Sequence, residues 1–264
     1  MCCFSHVSKP ASFMTRLLGD WAEPRVHVAN TGIFARRLDP ERQGLVYSMQ
    51  LSVDGEVAMI LPLPVSPGLG DDAVTFVNLE RHADFFGDLL RLFFPPPPAS
   101  AQPQSRSPVT FGLPKLQVFE VGSFEASFVP TSRDFERLDE RFRLPADIWN
   151  DIGGYDDWGF AVFRLKPSKQ AQIHPMALRF ATRDEHRLFF PTVHVHDGKV
   201  HRSAKFDHTL YYQSPAAAEG DAPSLLVPGR DYEGLVDPAR PVYRRELRGR
   251  LPNRDTWIEA ERRG

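Results

Sequence analysis

The sequence predicts an α+β protein dominated by antiparallel β-sheets, with two packed sheets as one arrangement of them and only a few short helices. Three observations carry that prediction. Apolar runs are short and end at turn residues, in keeping with 24 prolines and 18 glycines. Many of the 20 phenylalanines stand beside Val, Ile or Leu, the composition of strands that pack on one another. Helical patterns do not alternate regularly with strand patterns, which argues against a parallel α/β sheet.

In chain order, strands are expected near residues 26–28, 32–37, 45–53, 57–65 and 73–79, separated by turn signals such as Asp39-Pro40-Glu41 and Asp54-Gly55. The Asp54-Gly55 dipeptide between two apolar runs predicts a hairpin. Phe85, Phe86, Leu89, Leu90 and Phe93 recur at helical spacing, so residues 82–94 read as an amphipathic helix stopped by Pro95 to Pro98. The small, polar and Pro-rich residues 95–108 form a connection. The chain is accordingly one globular domain of 264 residues, whose two closely joined lobes would be residues 1–94 and 109–264.

Beyond the connection, strands are expected near residues 116–121, 124–129, 160–166 and 176–181, and from residue 188 onward. Thr131 and Asp134 before Phe135, Leu138 and Phe142 read as an N-cap and a short helix. Residues 153–159, Gly-Gly-Tyr-Asp-Asp-Trp-Gly, read as a turn with the aromatic and acidic groups to close over a ligand. Residues 214–224 read as a surface loop, and the C-terminal segments as irregular.

A formal net charge of −2 and a pI near 6.5 provide no electrostatic footprint for nucleic acid or an anionic membrane, despite a local basic stretch from Arg244 to Arg250. A small-molecule or peptide substrate is the expected partner. No run approaches the roughly 20 apolar residues of a membrane span, and the opening Met1-Cys2-Cys3-Phe4-Ser5-His6 lacks the basic and apolar regions of a secretory signal. A cytoplasmic protein is expected. The two cysteines are adjacent, a spacing that strains a disulfide and suits a reducing compartment.

Residues 188–213 carry the densest chemistry. Asp197-Gly198 favours a two-residue turn, which would set His194 opposite His201 and put His194, His196 and His201 on one face. Three imidazoles so placed could ligate Zn, Cu or Fe, with Asp207 and His208 as further ligands or supporting partners. By parity His208 faces away from His201 and would need a bulge or bend to join them.

Cys2 is the second candidate. Loss of Met1 would leave a thiol and a free α-amine on one residue, a nucleophile with its own base. In this the opening resembles N-terminal-nucleophile hydrolases, and the resemblance implies Cys2 as the catalytic residue of an amide hydrolase. The segments MCCFS at the start, IFAR at 33–36, LVYSM at 45–49, AMILPLPV at 58–65 and FFPTVHVHDG at 189–198 together resemble an uncharacterised bacterial family, which implies no activity. Phosphate-binding glycine loops, nucleophile elbows and dinucleotide fingerprints do not occur. The leading reading is a metal-binding protein, open to metalloenzyme chemistry, with His194, His196, His201 and His208 as ligands. A thiol hydrolase using Cys2 and a non-enzymatic β-rich interaction module are the alternatives.

Overall fold

The computed structural model describes residues 2–6, 27–53, 57–66, 68–95, 119–121, 124–138, 154–165, 168–172, 175–195 and 201–259. Its strands are β1 (Cys2–His6), β2 (His27–Asp39), β3 (Arg42–Val53), β4 (Val57–Leu63), β5 (Val74–Asn78), β6 (Phe119–Val121), β7 (Phe124–Val129) and β8 (Gly159–Leu165). They continue with β9 (Ser168–Gln172), β10 (Met176–Ala181), β11 (Arg187–Phe190), β12 (His194–Val195) and β13 (Ser203–Gln213). The last are β14 (Ala222–Pro223), β15 (Tyr243–Pro252) and β16 (Thr256–Glu259). One α-helix, α1 (Phe85–Phe93), and three short 3₁₀ turns complete the described chain.

The strands form a six-stranded sheet in the order β12-β1-β4-β8-β7-β6 and an eight-membered one in the order β14-β15-β13-β2-β3-β10-β5, to which β9 is attached through β3. β11 and β16 make a separate pair. Pairing is antiparallel except for β1 with β12 and β13 with β2. Alternation decides what each strand buries. On β4, Val57, Met59, Leu61 and Leu63 enter the core between the sheets, where Ile33, Leu45, Tyr47 and Met49 meet them from the other side. Ala58 and Ile60 join a second cluster on the outer face with Val162 and Val195. All seven β4 residues are therefore buried. The outer face of the larger sheet is covered by α1 and by residues 232–242, through Phe85, Leu89, Tyr232 and Leu235.

The β-rich α+β fold agrees with the sequence, and several details differ from it. β2 and β3 do form a hairpin, closing at Asp39 and Arg42 as the Asp39-Pro40-Glu41 signal suggests. The hairpin expected at Asp54-Gly55 is absent: β3 belongs to the larger sheet and β4 to the smaller, and Asp54 and Gly55 lie outside the described residues. The physical reason is burial. A strand apolar on both faces is accommodated in the middle of a sheet with a layer on each side, and β4 sits between β1 and β8. The expected helix over residues 82–94 is a 3₁₀ turn at Glu80–His82 followed by α1, and the expected helix after Thr131 is the 3₁₀ turn Ser132–Arg137. The C-terminal region is not irregular, since β15 pairs with β13 over ten positions. Its alternation is masked because Arg and Glu fill half of the places on this border strand. Strands from either side of the 95–108 connection lie side by side in both sheets; residues 96–108 themselves are outside the described set.

Phe163 on β8 is fully buried in the inter-sheet core, edge-on to Phe76 at 5.6 Å and Phe124 at 5.5 Å. Phe163→Ala removes both ring contacts and leaves a cavity that packed strands cannot collapse around. It is expected to cost about 3–5 kcal/mol in urea unfolding; a loss below about 1 kcal/mol would place the ring outside the cooperative core.

Candidate functional site

β13 alternates Phe206, His208, Leu210 and Tyr212 on its inner face, all buried, so a histidine occupies a position whose neighbours are apolar. His208 is only 2% exposed. On the smaller sheet, His194 of the two-residue β12 is the parallel partner of Cys2 in β1. The other side of β12 is held by side chains. The His194 backbone N–H donates to Asn253 Oδ1 at 2.7 Å, and Asn253 Nδ2 donates to the carbonyls of His194 at 2.8 Å and His201 at 3.0 Å. Asp255 Oδ1 accepts the backbone N–H groups of Thr192 and Val193 at 2.9 and 3.1 Å. So anchored, His194 meets His208 across the sandwich, with the two Nε2 atoms 3.1 Å apart and the ring centroids 4.7 Å apart. Phe206 packs on both rings, 4.5 Å from His194 and 5.3 Å from His208.

An Nε2-to-Nε2 hydrogen bond needs one nitrogen to donate and the other to accept, so the contact holds one proton, not two. Burial pushes the His208 pKa below its ordinary value, against the opposing pull of Asp207. The Asp207 carboxyl is in turn held below its ordinary range by the adjacent His208 and by the Asn30 amide, which donates to Oδ2 at 2.7 Å. Asp207 Oδ1 stands 3.6 Å from His208 Nδ1, within ion-pair range and too far for a hydrogen bond. The Nδ1 atom is buried with no hydrogen-bond partner among the described residues.

Of the expected ligands, the structure brings together His194 and His208. They meet because they belong to different sheets, with no bulge in β13 required. His194 has Cys2, not His201, as its strand partner, and His201 is exposed on the stretch leading to β13. His196 and the Asp197-Gly198 turn lie outside the described residues, as does the side chain of Cys2. Among the described residues no group of three or more His, Cys, Asp and Glu is gathered to hold a metal. Two Zn–N bonds of 2.0–2.1 Å at a tetrahedral angle set their nitrogens about 3.3 Å apart, so the imidazole pair fits two positions of a coordination sphere. The anchors Asn253 and Asp255 escape sequence reasoning because their contacts are long-range and follow no period. His208 was visible in the alternation of Phe206, Leu210 and Tyr212.

Beside the pair opens a cleft of about 730 Å³. Its wall on the larger sheet follows the β13–β15 register, which sets Phe206 against Gly249, His208 against Leu247 and Leu210 against Arg245. Gly249 has φ +83° and open space where a side chain would stand, leaving room opposite Phe206. The facing wall carries Tyr155, Trp158 and Trp257. Tyr155 packs edge-on to Trp158 at 4.8 Å and donates its hydroxyl to Asp255 Oδ2 at 2.6 Å. The Gly-Gly-Tyr-Asp-Asp-Trp-Gly segment thus contributes Gly154, Tyr155 and Trp158 to a cleft wall. Arg245 and the exposed Arg254 border the opening.

No family model matches the chain, and no curated protein matches it. Among solved structures it is similar to baculovirus P35, with a TM-score of 0.45 and 12% identity, covering 90% of this chain and 98% of that one. It is similar to the same extent to a chain in the caspase-8/P35 complex, with a TM-score of 0.45 and 12% identity, over 88% of this chain and 96% of that one.

The histidine pair predicts a specific acid response. A native pKa below the ordinary 6.5 means that the unfolded chain takes up the His208 proton first as pH falls. The contribution of neutral His208 is complete above pH 6.5 and is lost as pH falls through the depressed native value. Asp207, held below 3.8, adds stability that is lost only below that value. Thermal unfolding should therefore weaken in two separate windows, and His208→Leu should remove the upper one. A melting temperature flat between about pH 7 and 5 in the wild type would contradict this assignment.

Proposed function

We propose that the protein is a β-rich interaction module whose cleft receives an extended, acidic and apolar segment of a partner protein. The observation that carries this reading is the position of the cleft beside β15. Only Tyr243 and Arg244 of that strand have a partner on the outer side, in β14, so among the described residues Arg245 to Pro252 present an open strand edge. An added strand gains main-chain hydrogen bonds there, and its alternate side chains reach the aromatic wall. The charge preference follows from what is already neutralised. Asp255 is occupied by two backbone N–H groups and the Tyr155 hydroxyl, while Arg254 stands exposed at the opening. Trp158 and Trp257 supply rigid apolar area at low entropic cost, the usual composition of an anchoring pocket.

Titration of the full chain with capped octapeptides alternating Asp or Glu with Leu or Phe, followed by tryptophan fluorescence, tests the reading. Saturable binding that weakens with salt is expected, with Trp257→Ala reducing affinity about tenfold or more. Arg254→Glu, at an exposed position, should erase the preference over Lys-containing counterparts without affecting the fold. Indistinguishable behaviour of acidic and basic peptides, with no effect of either substitution, would refute it.

A second reading is favoured by the 3.1 Å Nε2 separation: a transition-metal centre using His194 and His208, with Cys2, the strand neighbour of His194, as candidate third ligand. A bound ion would supply Lewis acidity, and Asp207 would support the His208 ring from its Nδ1 side. Elemental analysis of protein purified without chelator should then give one ion per chain, lost in His194→Ala/His208→Ala and bound about 10–100-fold more weakly in Asp207→Asn. Failure to bind Zn²⁺ or Cu²⁺ on titration would remove this reading and leave the peptide cleft untouched.

A further inference from the structure

β15 serves the cleft with one face only. Arg245, Leu247 and Leu251 line the cleft, so the intervening Glu246, Arg248 and Arg250 belong to the outer face of the larger sheet. There Asp207, Thr209 and Arg248 border an outer pocket of about 310 Å³, and each is already engaged. Asp207 Oδ2 accepts the Asn30 amide at 2.7 Å, fixing a bend in β2 where the register with β3 shifts between Ala29 and Gly32. Arg248 donates to the Asp207 carbonyl at 2.8 Å and to Thr209 Oγ1 at 3.4 Å, and it pairs with Glu246, which Arg244 also contacts.

The neighbouring rung of the sheet is different. Lys205 on β13 stands directly opposite Arg250 on β15, alone among the ten rungs of this strand pair in setting two like charges against each other. Like charges so placed destabilise a sheet. Both side chains are exposed, and neither has a carboxylate partner among the described residues. Arg250 uses only Nε, which donates to Ser203 Oγ at 3.1 Å, leaving the two terminal nitrogens of its guanidinium as a free fork. The exposed Arg202 and Arg254, on the segments leading into β13 and out of β15, add charge of the same sign. On a chain of net charge −2, so local a positive surplus calls for an anion from outside.

The open edge of β15 selects which anion. A strand added there sets each of its residues beside one of β15 and on the same face, with the strands about 4.8 Å apart. The residue beside Arg250 therefore points outward to the Lys205–Arg250 rung, and its two chain neighbours point inward beside Gly249 and Leu251. Gly249 has open space where a side chain would stand, so it admits a large apolar neighbour. A carboxylate beside Arg250 would answer one of the two positive charges. A phosphate monoester carries about −1.5 to −2 at pH 7 with three acceptor oxygens, and so matches both.

We propose that the segment received by β15 is phosphorylated, with a phosphoserine or phosphothreonine beside Arg250 and an apolar residue on each side of it. This inference rests on the reading of β15 as a receiving edge. Its test uses the full chain, tryptophan fluorescence and the capped peptide Leu-Glu-Phe-phosphoSer-Phe-Glu-Leu, whose palindromic sequence presents the same groups in either strand direction. The comparison peptides have Glu or Ser at the centre. The phosphopeptide should bind about tenfold more tightly than the Glu peptide. Arg250→Gln and Lys205→Gln, both at exposed positions, should each lower that ratio to about threefold or less, and the double variant to about one. Equal affinities for the phosphopeptide and the Glu peptide would overturn the inference and leave the cleft reading intact, whereas binding of none of the three would overturn both. A preference that survives in the double variant would put the phosphate elsewhere and overturn it as well. So would equally effective competition by free O-phosphoserine or an oligothymidylate at the same phosphate concentration, since neither adds a strand.

Discussion

The rest of the structure depends on the burial of β4 on both of its faces. Its odd-numbered residues from Val57 to Leu63 fill the space between the sheets, and Ala58 and Ile60 support the outer cluster. A strand of that kind lies inside a sheet with a layer above and below; β1 and β8 take the places beside it, and the preceding β3 lies in the opposite sheet. Packed sheets stand about 10 Å apart, a distance that side chains from both sides must fill together. His194 and His208 are a polar rung in that contact. Their tips meet because the apolar residues around them set the spacing, and a proton shared at 3.1 Å replaces the dispersion contacts that two aliphatic chains would have made there.

The same constraint explains which parts of the fold the sequence discloses. Apolar runs and alternation together locate β2, β3, β4, β5, β7, β8 and β10, because each has at least one face in a core. The chemistry of Asp-Gly turns is local, however, and says nothing of whether the next strand returns beside the last or crosses to a facing sheet. Asp54-Gly55 separates strands that lie in different sheets, and so does Asp197-Gly198, between β12 and β13. Asp39-Pro40-Glu41, by contrast, joins true neighbours. The distinguishing signal is the unbroken apolar run of Val57 to Leu63, a pattern of two-sided burial in place of the one-sided alternation of a hairpin arm.

The candidate site was legible to the extent that it follows alternation. His208 is in phase with Phe206, Leu210 and Tyr212, and parity alone separates it from the exposed His201. Its partner His194 could not be assigned that way, because the partner depends on which sheet β12 joins. Asn253 and Asp255 lie about 60 residues from the strand whose backbone they hold, and no local pattern announces such contacts. β15 was hidden for a different reason. Its inner face has Leu247 and Leu251 but is interrupted by Gly249, and the arginines at its other positions read as a solvated segment.

Three consecutive residues of β13 show how much one strand can serve when both of its faces are used. Phe206 borders the cleft, Asp207 enters the outer pocket, and His208 lies in the core against His194. Asp207 is the member that bears on two of these environments, with Oδ2 accepting the Asn30 amide on one side and Oδ1 3.6 Å from the buried His208 ring on the other. The acid response of the core is therefore tied to a carboxylate that also fixes the bend of β2 at Asn30. Phe206, packed on both imidazoles, also lines the cleft, so the core pair and the cleft wall share one ring on the same inner face of the strand.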